Sequence, residues 1–137
     1  MVPIPQYPLY SGTIRLYRGN LAGYYLDEEK DWSLDIKHLQ EVYKSHYDKG
    51  QAIKALVLIN PGNPTGSILS RENIVDVIKF CKDYKLVLLS DEVYQTNIYS
   101  EVMKFHSTKS VMLSMSPEYR DTMLFSFHST SKGFYGE

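Results

Sequence analysis

The chain has 137 residues, with 15 basic and 16 acidic side chains and 43% hydrophobic residues. This composition is typical of one soluble globular domain, and the balanced charge excludes the basic surface that nucleic acid or an anionic membrane would require. No apolar run reaches the roughly 20 residues that span a bilayer, and the first residues do not resemble a signal peptide. We therefore expect a small-molecule ligand.

The single cysteine, Cys81, has no partner for an internal disulfide and no metal-ligand spacing with the four histidines. This favours a reducing compartment, so we expect a cytoplasmic protein, with mitochondria as the alternative, and no metal site. Twelve tyrosines are a high number for this length and favour surfaces that contact a ligand or another protein.

Hydrophobic periodicity and turn residues divide the chain into alternating helices and strands. Continuous apolar runs predict strands buried on both faces, and apolar residues three or four positions apart predict amphipathic helices. The predicted helices cover residues 9–17, 35–47, 70–84 and 107–115, and the predicted strands cover residues 21–26, 55–59, 86–89 and 123–127.

From residue 55 onward, strands and helices alternate as they do in parallel βαβ units. The pattern predicts an α/β fold in which three layers, α-β-α, surround a mostly parallel sheet. Ligands of such sheets bind beyond the carboxyl ends of the strands. Asn63, Asp91 and Lys132 each follow one of these strand ends, so we expect them to meet at one site.

Three motifs stand at those strand ends: NPGNPTG at residues 60–66, SDEVY at 90–94 and SFHSTSKGFYGE at 126–137. Each motif alone is consistent with an ordinary turn or a solvated lysine, but their order at successive strand ends favours a shared function. Together they fit amino-group transfer on pyridoxal phosphate. This chemistry needs a lysine for the aldehyde, a carboxylate at the ring nitrogen, donors to the phenolate oxygen and a phosphate ligand.

The residue types in the three motifs assign these tasks. Lys132 is the candidate that holds the aldehyde as a Schiff base and later carries the proton, and Asp91 is the candidate that keeps the pyridine nitrogen protonated. Asn63 and Tyr94 are expected to donate to the phenolate oxygen. For the phosphate we expect the hydroxyl of Ser129 and, as a second ligand, that of Ser131.

NPGNPTG, SDEVYQTNIY and SFHSTSKGFYGE resemble the strings of the pyridoxal phosphate-dependent class I/II aminotransferases of fold type I, and are most like those of members that act on alanine. The resemblance implies the residue roles given above. It extends to IPQYPLYS, where it makes Tyr7 the ring that stacks on the cofactor. It further implies a homodimer that exchanges amino groups between amino acids and 2-oxo acids, with alanine and 2-oxoglutarate as the substrates, in a ping-pong cycle.

The resemblance also predicts that residues 1–137 form the central part of the large, cofactor-binding domain. The family's first phosphate-binding turn precedes the stacking aromatic, and its second phosphate-contacting arginine follows the lysine by a few residues. The arginine that binds the substrate carboxylate belongs to a C-terminal small domain. We therefore expect the chain to be incomplete for catalysis by itself.

Two alternatives stay open on the sequence. A fold-type I lyase, such as a 1-aminocyclopropane-1-carboxylate synthase, shares the cofactor motifs and differs in the groups that bind substrate. A noncatalytic module that associates through exposed sheet edges is the other alternative, favoured by the net charge of −1 and by the many tyrosines.

Overall fold

The computed structural model describes residues 1–136, so Glu137, the last residue of the SFHSTSKGFYGE motif, lies outside the described residues. Short 3-10 turns occupy Glu28–Lys30 and Pro117–Tyr119. The helices and strands, in chain order, are β1 (Val2–Ile4), α1 (Leu9–Leu16), β2 (Gly23–Tyr25), α2 (Ile36–Tyr47), β3 (Ala55–Ile59), α3 (Arg71–Asp83), β4 (Val87–Asp91), α4 (Thr108–Ser114) and β5 (Leu124–Phe127). All eight predicted elements are present, with ends that differ by at most about two residues.

The strands form two parallel sheets. The larger sheet has the order β3-β4-β5, with Leu56 opposite Leu88 and Leu88 opposite Leu124. The smaller sheet pairs β1 with β2, and the carbonyl of Met1 joins it to β3 by accepting a hydrogen bond from the amide of Val57 at 2.9 Å. The predicted α/β class with a parallel sheet is confirmed.

Strand β1 was not among the predicted elements, and it contains a proline. Pro3 has no amide hydrogen to donate to a ladder. The pairing with β2 runs on either side of it instead: the amide of Val2 donates to the carbonyl of Ala22 at 2.9 Å, and the amide of Leu26 donates to the carbonyl of Ile4 at 3.1 Å. One proline inside a three-residue strand is therefore compatible with pairing.

A single hydrophobic cluster joins the larger sheet to α2, α3 and α4. Helix α3 is capped by Ser70, whose side chain accepts a hydrogen bond from the amide of Asn73 at 3.1 Å. The apolar residues on one face of this helix are fully buried: Ile74, Val77, Ile78 and Cys81. Burying each large apolar side chain contributes roughly 2 kcal/mol, so this stripe holds the helix on the sheet.

Strand β5 is less buried than its apolar sequence predicts. Met123, Phe125 and Phe127 are 59%, 51% and 42% exposed, so the prediction of a strand buried on both faces is wrong at this position. Among the described residues, β5 is an edge strand that pairs with β4 alone, and only its Leu124 packs against the core cluster. The strand still ends beside β3 and β4, so all three motif loops leave the same edge of the sheet.

Candidate functional site

One cavity brings together the side chains that the sequence indicated. It encloses about 320 Å³ beyond the carboxyl ends of β3, β4 and β5. Leu9, Ile59 and Val93 supply its apolar wall. Its remaining lining consists of the seven predicted site residues: Tyr7, Asn63, Asp91, Tyr94, Ser129, Ser131 and Lys132. The three motifs therefore meet as expected, while the role of each residue stays a prediction.

Asp91 is the last residue of β4 and is 9% exposed. Its two carboxylate oxygens accept hydrogen bonds from different donors: Tyr10 Oη lies 2.5 Å from Oδ2, and the amide of Val93 lies 3.3 Å from Oδ1. A carboxylate oxygen can accept two hydrogen bonds, so each oxygen keeps acceptor capacity for a further donor. The carboxylate can therefore bind a ligand N–H without giving up either contact.

Tyr10 is a residue that the sequence reasoning missed. It lies in the first turn of α1, and its hydroxyl reaches a carboxylate 81 positions further along the chain. Burial, followed by the hydrogen bond to Asp91 and the charge of that group, raises the pKa of Tyr10 above its ordinary value of 10.0. No local signal in the sequence pointed to Tyr10, because its contact joins two distant positions of the chain.

The loop after β3 is tied to the end of β4. Asn60 is completely buried: its amide donates to the carbonyl of Asp91 at 2.9 Å, and its Oδ1 accepts from the amide of Leu69 at 3.0 Å. A Cβ atom at Gly62 would lie 2.3 Å from Thr65 Oγ1, so the tight turn requires glycine. These constraints fix the turn that carries Asn63 to the cavity.

The loop after β5 is more open. The hydroxyl oxygens of Ser129 and Ser131 lie 2.7 Å apart, and the amide of Ser131 donates to Ser129 Oγ at 3.1 Å. Gly133 has a φ of +74°, and a Cβ atom there would lie 2.3 Å from Thr96 Oγ1. The backbone next to Lys132 therefore packs closely on the segment that follows β4.

Behind Asp91 lies a buried polar network that sequence reasoning also missed. Glu92 is 5% exposed, and its Oε1 accepts from Ser90 Oγ at 3.1 Å and from the amide of Thr108 at 2.7 Å. The hydroxyls of Ser90 and Thr108 lie 2.7 Å apart. The network joins the end of β4 to the first turn of α4 and fixes the backbone on both sides of Asp91. An acidic residue directly after Asp91 in the SDEVY motif was its signal.

The donors and acceptors of this cavity fit pyridoxal phosphate. The cavity offers one amine for an aldehyde, one buried carboxylate for a ring nitrogen, and paired hydroxyls for a phosphate. Its volume of about 320 Å³ lies at the lower end of the range for small-molecule sites, roughly 300–1,000 Å³. Residues 1–136 contain no cluster of three side chains able to hold a metal ion.

The chain thus combines a parallel α/β sheet with a cavity at its strand ends that is lined by a lysine, a buried carboxylate and paired hydroxyls. Comparison with known families identifies the class of protein. Residues 1–137 match the family model of the class I and II aminotransferases, and the chain belongs to this family.

Individual relatives cover the chain fully. It is 54% identical over 137 residues to alanine aminotransferase 1, mitochondrial, of Arabidopsis thaliana, covering 100% of this chain and 25% of that protein. It is 51% identical over 138 residues to glutamate–glyoxylate aminotransferase 1 of the same plant, covering 100% of this chain and 29% of that protein. The solved structure of an alanine aminotransferase from Pyrococcus furiosus is similar with a TM-score of 0.75 and 28% identity, over 96% of this chain and 30% of that one. The chain thus spans less than a third of the length of these relatives.

Proposed function

We propose that this chain forms the cofactor-binding centre of a pyridoxal phosphate-dependent aminotransferase that exchanges amino groups between alanine and 2-oxoglutarate, giving pyruvate and glutamate. The observation that carries the proposal is the cavity in which all three strand-end motifs meet. The 54% identity to a relative named alanine aminotransferase supports alanine as the amino acid substrate.

Bound pyridoxal phosphate supplies a carbonyl for the amino group and a ring that takes up the electrons freed when an α-proton leaves. Two residues of this chain act on its reacting ends. The amine of Lys132 would bind the aldehyde carbon and move a proton to or from the α-carbon of the substrate. The carboxylate of Asp91 would accept a hydrogen bond from the ring nitrogen and keep it protonated.

The other lining residues would orient the cofactor. Tyr7 would stack its ring on that of the cofactor, and the side chains of Asn63 and Tyr94 would donate to the phenolate oxygen. The hydroxyl oxygens of Ser129 and Ser131 lie 2.7 Å apart in a mutual hydrogen bond, close enough to contact one phosphate group. Both hydroxyls would donate to that phosphate once it replaces their mutual bond. Correct orientation of the reacting groups supplies several kcal/mol of an enzyme's rate acceleration, so these contacts serve catalysis as well as binding.

The chain would be the middle of the large domain of such an enzyme. It covers 25% of the Arabidopsis alanine aminotransferase, so the groups that bind the substrate carboxylate would come from other parts of the enzyme. We propose a homodimer with amino acids and 2-oxo acids as its small-molecule partners.

We propose the cytoplasm as the location, with mitochondria as the alternative. The Arabidopsis alanine aminotransferase is named as mitochondrial, which supports the alternative. None of the helices within residues 1–136 has the length and apolar character that a membrane-spanning helix needs.

A second amino-group exchange, between glutamate and glyoxylate, is supported by the 51% identity to the Arabidopsis enzyme of that name. The cofactor-binding residues would serve both reactions equally, because both use the same cofactor chemistry. The two candidates therefore differ in the groups that bind the oxo acid, and a test with pyruvate and with glyoxylate as acceptors of the complete enzyme distinguishes them.

Covalent capture of the cofactor tests the proposal directly. We expect the purified chain to develop a visible absorbance band with pyridoxal phosphate, and borohydride reduction to fix the label on Lys132, as located by peptide mass spectrometry. Lys132→Ala should remove the band and the label. Lys109→Ala, a change at an exposed lysine of α4, is the matched control and should retain both. Equal labelling of the two variants would contradict the proposal.

A further inference from the structure

We propose that Tyr10 is a positioning residue of the cofactor site, whose hydroxyl holds the carboxylate of Asp91 in the orientation that faces the ring nitrogen. The inference deepens the proposed function and rests on it. Tyr10 lies behind Asp91 rather than in the cavity lining, so it would act through the carboxylate and not by touching the cofactor.

The geometry gives the carboxylate of Asp91 two anchors. Tyr10 Oη lies 2.5 Å from Oδ2, and the amide of Val93 lies 3.3 Å from Oδ1. Donors on two different oxygens oppose rotation of the carboxylate about its Cβ–Cγ bond. The Val93 contact is local and long, whereas the Tyr10 contact joins two separate elements, α1 and the end of β4, so Tyr10 is the anchor that links them.

A hydrogen-bond donor beside the carboxylate of Asp91 suits its proposed contact with the ring nitrogen. An N–H of a protonated ring is held best by an ionised carboxylate, and donation to the ionised form favours that form. Burial and the neighbouring Asp91 raise the pKa of Tyr10, so its hydroxyl keeps its proton at neutral pH. Tyr10 therefore donates to the carboxylate of Asp91 without adding a second negative charge to the site.

The same contact places the segment that carries Tyr7. The amide of Tyr10 donates to the carbonyl of Tyr7 at 3.4 Å, so the two residues share one turn at the start of α1. When the hydroxyl of Tyr10 binds Asp91, that turn is fixed against the end of β4. One hydrogen bond thus fixes the position of two residues: Asp91, which would face the ring nitrogen of the cofactor, and Tyr7, which would stack on the face of the ring.

The test compares Tyr10→Phe, which removes only the hydroxyl, with Tyr17→Phe, a matched change at an exposed tyrosine directly after α1. The affinity for pyridoxal phosphate is measured by absorbance titration. The state of the ring nitrogen is read from its NMR chemical shift in isotopically labelled pyridoxal phosphate. We expect Tyr10→Phe to weaken binding about ten-fold and to shift the nitrogen signal, because hydrogen bonds to charged groups are strong. Tyr17→Phe should match the wild-type chain in both.

A second comparison separates positioning from packing. In a chain that already carries Asp91→Ala, adding Tyr10→Phe should not weaken cofactor affinity further, because the carboxylate through which the hydroxyl acts is gone. If Tyr10→Phe weakens cofactor affinity ten-fold both in the wild-type chain and in the Asp91→Ala chain, the inference is wrong. The inference is also wrong if Tyr10→Phe alone leaves both the cofactor affinity and the nitrogen signal at their wild-type values, and this outcome leaves the proposed function intact. If the wild-type chain and the Tyr17→Phe control take up no pyridoxal phosphate, it is the proposed function that fails.

Discussion

The two ends of the proposed cofactor site are built differently. At the end of β4, Asp91 is 9% exposed and receives hydrogen bonds from Tyr10 and Val93. At the end of β5, the strand itself is largely exposed, and the loop that leads to Lys132 is held by contacts such as that of Gly133 with Thr96. The acidic end is therefore fixed by the core of the chain, whereas the lysine end follows an exposed edge strand.

This difference suits the two tasks proposed for these ends. A carboxylate that must face one ring nitrogen binds it more tightly when its orientation is already fixed in the folded chain. Its conformational entropy is then lost during folding and not during binding. A lysine that must bind an aldehyde, release it and move a proton has to change its position during each cycle. The exposed edge strand that leads to the lysine loop is consistent with that demand.

The largest effect on stability is expected at the buried end of β4. Glu92→Ala removes the acceptor shared by Ser90 Oγ and the amide of Thr108, both of which are buried. We expect the free energy of unfolding to fall by about 3 kcal/mol, because buried donors without partners are costly. Denaturant unfolding measures this. Glu101→Ala, a change at an exposed glutamate, should leave the value within about 0.5 kcal/mol. A similar fall in the free energy of unfolding in both variants would show that the hydrogen bonds of Glu92 do not stabilise the end of β4.

A smaller effect is expected at the lysine loop. Gly133 and Gly136 both have positive φ, +74° and +66°, but a Cβ atom meets Thr96 Oγ1 only at position 133. Both alanine substitutions cost about 1 kcal/mol for the left-handed backbone, and Gly133→Ala should cost about 1 kcal/mol more and reduce labelling of Lys132. Unfolding curves and borohydride labelling measure the two effects. Equal losses in stability and labelling would mean that the contact with Thr96 does not place the lysine.

The Tyr10 hydroxyl should make stability depend on pH in alkaline solution. Its pKa is raised in the folded chain above the ordinary value of 10.0, so the folded state holds the proton more tightly than the unfolded state. The contribution is fully present below about pH 10 and is lost as the pH rises towards the folded pKa. With allowance for solvent screening, we expect about 1 kcal/mol or less. The loss above pH 10 should be shallower in Tyr10→Phe, and an unchanged slope would contradict the assignment.

The smallest effect on folding is expected for Ser131→Ala. This residue is exposed, so the free energy of unfolding should change by less than about 0.5 kcal/mol. Its hydroxyl lies 2.7 Å from that of Ser129, so loss of one phosphate ligand should still raise the dissociation constant of pyridoxal phosphate several-fold. Thermal unfolding and absorbance titration provide the two values. Unchanged cofactor affinity would remove Ser131 from the proposed site.

The sequence predicted most of the fold because its signals are local. The apolar run of β3 was found where expected, and α3 begins and ends within one residue of its predicted range. The meeting of Asn63, Asp91 and Lys132 was also predictable, because the ends of parallel strands share one edge.

The features that were missed depend on contacts between distant positions. The bond from Tyr10 to Asp91 joins residues 81 positions apart, and no spacing rule predicts which buried donor meets which acceptor. The same holds for Glu92, whose carboxylate accepts from Thr108 at a separation of 16 positions. Burial of β5 was overestimated for a related reason: an apolar strand shows that it prefers a covered face, but not which segment covers it.

The cavity takes its walls from both ends of the sequence, from Tyr7 to Lys132. A molecule that contacts both Tyr7 and Lys132 binds the folded chain and not the unfolded one. Its binding free energy therefore adds to the stability of the native state. At a cofactor concentration one hundred times the dissociation constant, this linkage amounts to about 2.7 kcal/mol. Pyridoxal phosphate bound at the proposed site would then stabilise the folded chain even before any substrate is present.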